Sequence, residues 1–254
     1  MADTRLDSLP EECLAHIISF TSPRDACLSS LISGSFRDAA DSDLAWEKFL
    51  PSDYREIISR SVYPVEYSSN KELFRKLSST PLLIDGGNKT ILIDRYNNKK
   101  CYMLSARGLS ITWSSHSLCW CWKSLLHSRF HEAVELIMVC WLEIKGKINT
   151  KILSPNTTYG VYLVIQLANR AFGLDSLPSE IEVQVGDYKT RGTICVKRDE
   201  RVLCARDDGW LEVELGEFYN DESGKEVIMT FKEIKGEQLK GGLIVEGIEL
   251  KPKY

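Results

Sequence analysis

The spacing of apolar residues changes along this chain of 254 residues, and the change constrains its fold more than any other feature. In the first third, apolar residues recur at helical intervals, as in Leu28, Leu31 and Ile32. Further along they recur at every second residue, the period of a half-buried strand, most clearly over 134–144 and 159–167. Because the strand segments follow one another without helices between them, they predict an antiparallel sandwich or barrel. The predicted fold class is therefore α+β multidomain, with three short N-terminal helices followed by a β-sandwich.

Cap and turn residues indicate where these regions begin and end. The segment Ser22-Pro23-Arg24-Asp25 has the residue types of a helix start: a capping serine, a proline at the first helical position and an early carboxylate. Glycine, proline and asparagine breaks interrupt the middle of the chain, around one predicted helix, KELFRKLSS. We therefore predict an all-α domain over 1–50, a mixed helical connector over 51–98 and the sandwich over 99–254.

Composition and charge exclude several functional classes. The net charge of -4 and the isoelectric point near 5.7 provide no basic field for nucleic acid, so we expect no nucleic-acid partner. No apolar run approaches the ~18 residues of a membrane span. The first residues lack the basic start and apolar run of a secretory signal, so we expect an intracellular protein whose eight cysteines are mostly reduced.

The helical end resembles a known interaction module. The run LDSLPEECLAHIISFTSPRDACLSSLISGSFRDAADSDLAWEKFL is similar to an F-box, through which substrate receptors of cullin-type ubiquitin ligases attach to a Skp-type adaptor. The likeness is carried by Leu9-Pro10, Leu14, Ile17, Ile18, Asp25, Leu28, Leu31, Phe36 and Trp46. It implies a Skp-type adaptor as partner and, through it, a cullin.

A physical argument also favours a partner for this end. About forty residues of short helices carry more apolar positions than they can hide from water by themselves. The alternative is that the helices form a lid that buries the same leucines inside the chain. The residues that we predict at the adaptor surface are Leu9, Pro10, Leu14, Ile17, Leu28 and Leu31.

The strand end resembles the phloem lectin family of plants, also called Nictaba-like. The likeness spans roughly 101–254 and is carried by several separated motifs, including KKCYMLSARGLSITWSSHSLCWCWKS, EAVELIMVCWLEIKGKI and GLIVEGIELKPK. It implies a jelly-roll-like sandwich that binds glycans containing N-acetylglucosamine or N-acetyllactosamine, without metal, cofactor or catalysis. Together with the F-box, it implies the substrate-recognition subunit of a Skp-cullin-F-box type ubiquitin ligase, located in cytoplasm and nucleus, with glycan or glycoprotein targets.

The same resemblance implies the residues of a sugar site. A lectin site pairs an aromatic ring, for the C–H face of a sugar, with carboxylate or amide groups for its hydroxyls. The aromatic residues implied are Trp113 and Trp120, and the implied carboxylates are Glu226 and Glu233. By contrast, the alternating strand pattern predicts core positions for Trp122, Trp141 and Trp210.

A metal site, catalysis and two other binding roles are the alternatives to this function. His116, Cys119, Cys121, His127 and His131 lie close together, but their spacing does not match zinc-ligand pairs, so we predict no metal site. No catalytic motif is present, which predicts a non-catalytic receptor. Two alternatives stay open: a carbohydrate-binding protein without a ligase role, and a protein-binding receptor whose sandwich has lost sugar affinity.

Overall fold

The structure is a computed structural model that describes residues 9–196 and 203–253. The chain divides into two compact units. The first unit contains the chain up to Ile84 together with Ile91–Lys100, and the second contains Asp85–Thr90 together with the chain from Cys101 onward. Each unit has its own secondary structure, helical in the first and stranded in the second, as the change in apolar period predicts.

The described part of the first unit contains six helices. They are α1 (Glu11–Ile18), α2 (Pro23–Ser29), α3 (Gly34–Asp41), α4 (Asp43–Glu47), α5 (Tyr54–Ser59) and α6 (Asn70–Ser79). The predicted start of α2 is confirmed, because the Ser22 hydroxyl accepts a hydrogen bond from the backbone N–H of Asp25 at 3.1 Å and Pro23 opens the helix.

Residues 9–50 form four helices, not the three that we predicted. The helical spacing of apolar residues continues past Ser29, but the backbone does not. The Ser29 and Ser30 hydroxyls donate to the carbonyls of Asp25 and Cys27, at 2.8 and 2.6 Å. Such side-chain bonds offer the backbone an alternative to a continued helix. Ser33 then caps a new helix, α3, by accepting the N–H of Phe36 at 3.3 Å.

The core of the first unit joins the predicted F-box to the predicted connector. Trp46 is buried, and its indole N–H donates to the carbonyl of Ala40 at 2.6 Å. Its ring lies 5.4 Å from that of Phe74 in α6, between ring centroids. The Asp43 carboxylate accepts the backbone N–H of Asn70 at 2.6 Å, at the start of the same helix. The predicted boundary at residue 50 therefore falls inside one packed helical unit.

Fourteen strands are described in the whole chain. They are β1 (Leu82–Ile84), β2 (Lys89–Ile93), β3 (Lys100–Ser105), β4 (Ser110–Ile111), β5 (Trp120–Lys123), β6 (Ala133–Leu136), β7 (Leu142–Asn149), β8 (Thr157–Phe172), β9 (Ser179–Val185), β10 (Tyr188–Ile194), β11 (Cys204–Ala205), β12 (Leu211–Asn220), β13 (Glu226–Glu233) and β14 (Gly241–Pro252). In the second unit, the larger sheet has the order β3-β14-β8-β12-β11, and β6 pairs with both β14 and β5. The smaller sheet has the order β10-β9-β13-β7-β4.

The two sheets of the second unit pack face to face. Gly146 in β7 shows how closely: a Cβ atom there would lie 2.9 Å from Met229 in the same sheet and 3.0 Å from Ile248 in the larger sheet. Neighbouring strands pair antiparallel, for example β14 with β8 and β13 with β7. The predicted fold class, short helices followed by antiparallel sheets, is thus confirmed. Within the described ranges, no helix is both long and apolar enough to cross a membrane.

Candidate functional site

The first unit exposes a cluster of apolar side chains at the end of α1 and along α2. The cluster, which we name the α1–α2 apolar face, consists of Ile17, Phe20, Leu28, Leu31 and Ile32. Phe20 and Leu31 are the most exposed, at 77% and 76% of their surface. Apolar residues that are scattered singly over a surface need no explanation, but five within so short a stretch mark an interaction site.

The predicted adaptor residues do not all lie on this face. Ile17, Leu28 and Leu31 are exposed there, whereas Leu9 is partly buried against the helical core. Leu14 is 0% exposed, so the prediction that it contacts a second protein is wrong. In α1 it lies on the core side with Ile18, one turn away, and of these three apolar residues Ile17 alone faces outward.

The last residue of the predicted adaptor set is exposed, and two residues of the α1–α2 apolar face were not predicted from the sequence. Pro10 precedes α1 and is exposed. Phe20 and Ile32 belong to the α1–α2 apolar face although no predicted contact included them. Both follow the last residue of a helix, at Ile18 and Ser29, so helical spacing could not assign them to a side.

In the second unit, Trp113 is one of several aromatic residues that face solvent, with 51% of its surface exposed. Its φ of +64° lies in the left-handed region, which costs a residue with a side chain about 1–3 kcal/mol. The ring of His116 lies 5.8 Å from that of Trp113, between centroids. Backbone strain of this kind often marks a functional site, because the surrounding structure must hold the strained residue in place.

Trp120 and Trp122 provide that support. The Trp120 indole N–H donates to the carbonyl of Thr112 at 2.9 Å, and the Trp122 indole N–H donates to the carbonyl of Ser114 at 3.1 Å. These two carbonyls belong to the residues on either side of Trp113, so Trp120 and Trp122 fix the backbone of the Trp113 loop. Trp120 is only 2% exposed, and the prediction that its ring is open to a sugar is therefore wrong.

The three tryptophans that were predicted to lie in the core differ in how far they are buried. Trp210 is buried, as predicted, and donates to the carbonyl of His127 at 3.0 Å. Trp122 is half-buried beneath the Arg107 guanidinium, which lies 3.6 Å from the ring centroid. Trp141 is 47% exposed, so its predicted core position is wrong. The alternating pattern continues through Trp141 in the sequence, but β6 has ended and β7 has not begun there.

Glu143 connects the Trp113 loop to Trp141. Its backbone carbonyl accepts the Thr112 N–H at 3.0 Å, and its carboxylate lies 3.5 Å from the Thr112 hydroxyl. A hydrogen bond from Lys145 lowers the pKa of the Glu143 carboxyl, and the Trp141 indole N–H contributes to the lowering. Trp113, Trp141 and Glu143 therefore form one surface with two exposed indoles and an ionised carboxylate, which we name the indole–carboxylate surface.

The two carboxylates predicted for the sugar site do not belong to this surface. Glu233 is buried, forms an ion pair with Lys240 and accepts the backbone N–H of Gly236 at 2.8 Å, so its predicted role at a sugar rim is wrong. Glu226 is exposed and pairs with Lys147 at 3.2 Å. It lies opposite Asn149 on β7, six residues from Glu143 and hence about 20 Å along the strand.

A polar groove of about 490 Å³ lies elsewhere on the second unit, between β9, β10 and β13. Its lining includes Glu180, Glu182, Arg191 and Lys232, and no aromatic ring. These charges already pair with each other, for example Arg191 with Glu182 at 2.9 Å. Glu143 is paired too, with Lys145 at 2.7 Å, so the difference between the two places is the exposed indoles, which the groove lacks. In the part of the chain that the structure describes, no three His, Cys, Asp or Glu side chains are grouped to hold a metal ion.

A buried ionic cluster lies on the larger sheet, and sequence reasoning did not find it. Arg129 and Arg206 contact the Glu249 carboxylate at 2.6 and 2.5 Å. Burial raises the pKa of Glu249, but the two arginines outweigh burial and the net pKa is lowered. Burial raises the pKa of Glu246, even though its carboxylate accepts the Arg129 backbone N–H at 2.6 Å. These contacts tie the segment before β6 to β14, which is a structural role.

Comparison with known proteins agrees with both resemblances. A family model described as phloem protein 2 matches residues 99–252, and one described as F-box-like matches residues 6–52. F-box protein PP2-B15 of Arabidopsis thaliana is 45% identical over 96% of this chain and 96% of its own length. F-box protein VBF of the same plant is 43% identical over 96% of this chain and 99% of its own. A solved xylan-binding domain from Paenibacillus barcinonensis covers 58% of this chain and 87% of its own, with 9% identity and a TM-score of 0.30, too weak a likeness to carry an argument. The family resemblance is confirmed, and the chain belongs to the F-box proteins with a phloem protein 2 domain.

Proposed function

We propose that this chain is the substrate-recognition subunit of a Skp-cullin-F-box type ubiquitin ligase, acting in cytoplasm and nucleus. The observation that carries the proposal is the α1–α2 apolar face, whose five exposed side chains lie on α1, on α2 and just after each of them, within the F-box match. A partner that buries them gains about 25 cal/mol for each Å² of apolar surface removed from water. Catalysis belongs to the assembled ligase, and this chain contributes proximity by raising the local concentration of its target.

Adaptor binding tests this proposal directly. We expect the full chain to co-purify with a Skp-type adaptor, and Leu28→Asp with Leu31→Asp to weaken binding by about 30-fold or more, since central apolar contacts carry most of an interface's energy. Leu126→Asp is the matched control, because Leu126 is equally apolar and fully open to solvent in the second unit. Binding that survives the double variant, or that Leu126→Asp abolishes equally, contradicts the proposal.

For the target, we infer that the indole–carboxylate surface binds glycans of the N-acetylglucosamine or N-acetyllactosamine type. The support is chemical: exposed indoles can stack on the C–H face of a sugar, and an ionised carboxylate can accept its hydroxyl hydrogen bonds. Titration of the protein with chitotriose and with N-acetyllactosamine tests this. Trp113→Ala and Trp141→Ala should each weaken binding about 5- to 100-fold, whereas Tyr188→Ala, at an exposed aromatic residue on β10, should not.

One observation favours a second candidate, a receptor that binds a protein and no sugar. Trp120 and Glu233, two of the four residues expected at the sugar site, are buried and occupied by internal contacts. Leu118 and Met138, near the Trp113 loop, are exposed and apolar, which suits a protein partner. A glycan array that stays silent, with a target protein whose capture depends on Trp113, would establish this candidate. Sugar binding without adaptor binding would instead favour a carbohydrate-binding protein with no ligase role.

A further inference from the structure

The first unit contains a groove that neither the adaptor nor the glycan proposal uses. Its volume is about 350 Å³, within the range of small-molecule sites. The floor is apolar and includes Pro23, Trp46 and Phe74. None of the five side chains of the α1–α2 apolar face lines it.

The charge around this groove is of one sign. Four cationic side chains line it, contributed by Arg24, Lys71, Arg75 and Arg95, and none of its lining residues is acidic. The chain as a whole carries a net charge of -4, so this concentration of positive charge is local and runs against the average. Positive potential over an apolar floor attracts an anion that has an apolar body.

Among the described residues, two of the four cationic side chains bind a carboxylate or a carbonyl of the unit, and the other two have no ionic partner. Lys71 pairs with Asp41 at 2.5 Å and lies 5.5 Å from the centroid of the Trp46 ring. Arg95 donates to the carbonyl of Ser78 at 3.4 Å. Arg24 and Arg75 are exposed and have no ionic partner among residues 9–196 and 203–253. An unpaired guanidinium can bind a carboxylate, sulfonate or phosphate through two parallel hydrogen bonds.

We infer that this groove binds a small organic anion with a flat aromatic body. The exposed Tyr96 ring contacts the body over the edges of the buried Trp46 and Phe74, and Arg24 and Arg75 hold the anionic group at the rim. The site is independent of the proposed ligase role, because the groove and the α1–α2 apolar face share no residue.

Cys27 makes the groove accessible to a direct experiment, since its exposed thiol is part of the lining. We would measure the alkylation rate of each cysteine in the full chain by peptide mass spectrometry, with and without 2-naphthalenesulfonate. The sulfonate should slow the alkylation of Cys27 at least 5-fold and leave Cys13, an exposed thiol of the same unit, unchanged. The neutral analogue 2-naphthol, at the same concentration, should protect Cys27 less.

Arg24→Glu with Arg75→Glu should abolish the protection, measured as the ratio of rates with and without sulfonate within each variant. This ratio cancels any change that the substitutions make to the thiol itself. Adaptor binding by the same variant should be retained, which separates this inference from the ligase proposal. Equal protection by both naphthalenes, or protection that survives the double variant, would overturn the inference. Protection of Cys27 by the adaptor and not by the sulfonate would overturn it too, since the groove would then be a protein contact.

Discussion

The α1–α2 apolar face and the indole–carboxylate surface are both rich in exposed apolar atoms, yet they suit different partners. The helical face presents Ile17, Phe20 and Leu28 with no carboxylate built among them. The other surface holds an ionised carboxylate, Glu143, which bonds to the Trp141 indole and to Thr112, the residue before Trp113, whose backbone is strained. Only a partner that supplies its own apolar surface benefits from the first, whereas a polar ligand with a C–H face can use the second. Exposure alone therefore does not define a site, but the polar groups beside it do.

The largest expected effect separates folding from docking within the helical unit. Leu14→Asp places a carboxylate in the helical core and should destabilise the unit by about 4–5 kcal/mol, enough to unfold it. Leu28→Asp changes an exposed residue, so the free energy of unfolding should change by less than about 0.5 kcal/mol. Thermal unfolding of both variants checks this, together with adaptor binding, which only Leu28→Asp should lose from a folded protein.

If Leu28→Asp unfolds the chain as Leu14→Asp does, the helical face is part of the core and the comparison with the second surface fails. A neutral control is Leu28→Gln, which keeps the side-chain length without introducing charge and should weaken adaptor binding less. This ranking holds only if the face is buried by a partner.

The second prediction makes the same separation in the sandwich. Trp120→Ala removes a buried indole and its hydrogen bond to Thr112, and should cost about 3–5 kcal/mol of unfolding free energy. Trp113→Ala removes an exposed ring and should cost less than about 1 kcal/mol, while glycan binding is lost. Chemical denaturation with a parallel sugar titration measures both. Equal destabilisation by the two substitutions would show that Trp113 is a core residue after all.

Sequence patterns anticipated the fold because the period of side chains is a local property of helices and strands. The change of period separated helices from strands, and the serine and proline before α2 fixed its start. The site was harder. Trp141 lies within an alternating pattern that runs across the gap between β6 and β7, but between two of its apolar positions, and the pattern does not show the gap. Trp120 is buried with its indole N–H on the Thr112 carbonyl, and Trp122 donates to the Ser114 carbonyl, so the contacts join residues eight positions apart on either side of Trp113, whose φ is positive.

The buried acids illustrate the same limit. Glu226 and Glu233 both lie on β13, but they are seven positions apart, an odd separation that puts them on opposite faces of the sheet, and Glu233 is on the core side opposite Leu142. An acidic residue in a strand is usually solvated, so the pattern gave no sign that Glu233 pairs internally with Lys240. Long-range pairing, which joins positions far apart in the chain, is the information that a single sequence lacks.

A third, smaller effect tests the polar half of the indole–carboxylate surface. Glu143→Gln should weaken glycan binding by about 1–2 kcal/mol, because a charged acceptor makes a stronger hydrogen bond than an amide. The same variant should leave adaptor binding unchanged. Isothermal titration with chitotriose and an adaptor pull-down give the two readouts. A loss of both activities would point to misfolding. If glycan binding is unchanged, the carboxylate does not contribute to it and the tryptophans alone bind the sugar.

The smallest expected effect concerns pH and follows from the lowered pKa of Glu143. Hydrogen bonding from Lys145, with a contribution from the Trp141 indole N–H, keeps the carboxylate ionised below the ordinary glutamate pKa of 4.5. Because the pKa is lowered, the charged form persists as pH falls from 7 to 5, so glycan affinity should stay constant over that range and decline only below it.

Trp141→Phe keeps an aromatic ring but removes the N–H, and should shift that decline to slightly higher pH, by a fraction of a pH unit. A titration of sugar affinity between pH 4 and 7, on wild type and Trp141→Phe, measures this shift. Coincident curves for the two proteins would mean that Trp141 acts on the ligand only through its ring, and that Lys145 alone sets the charge of Glu143.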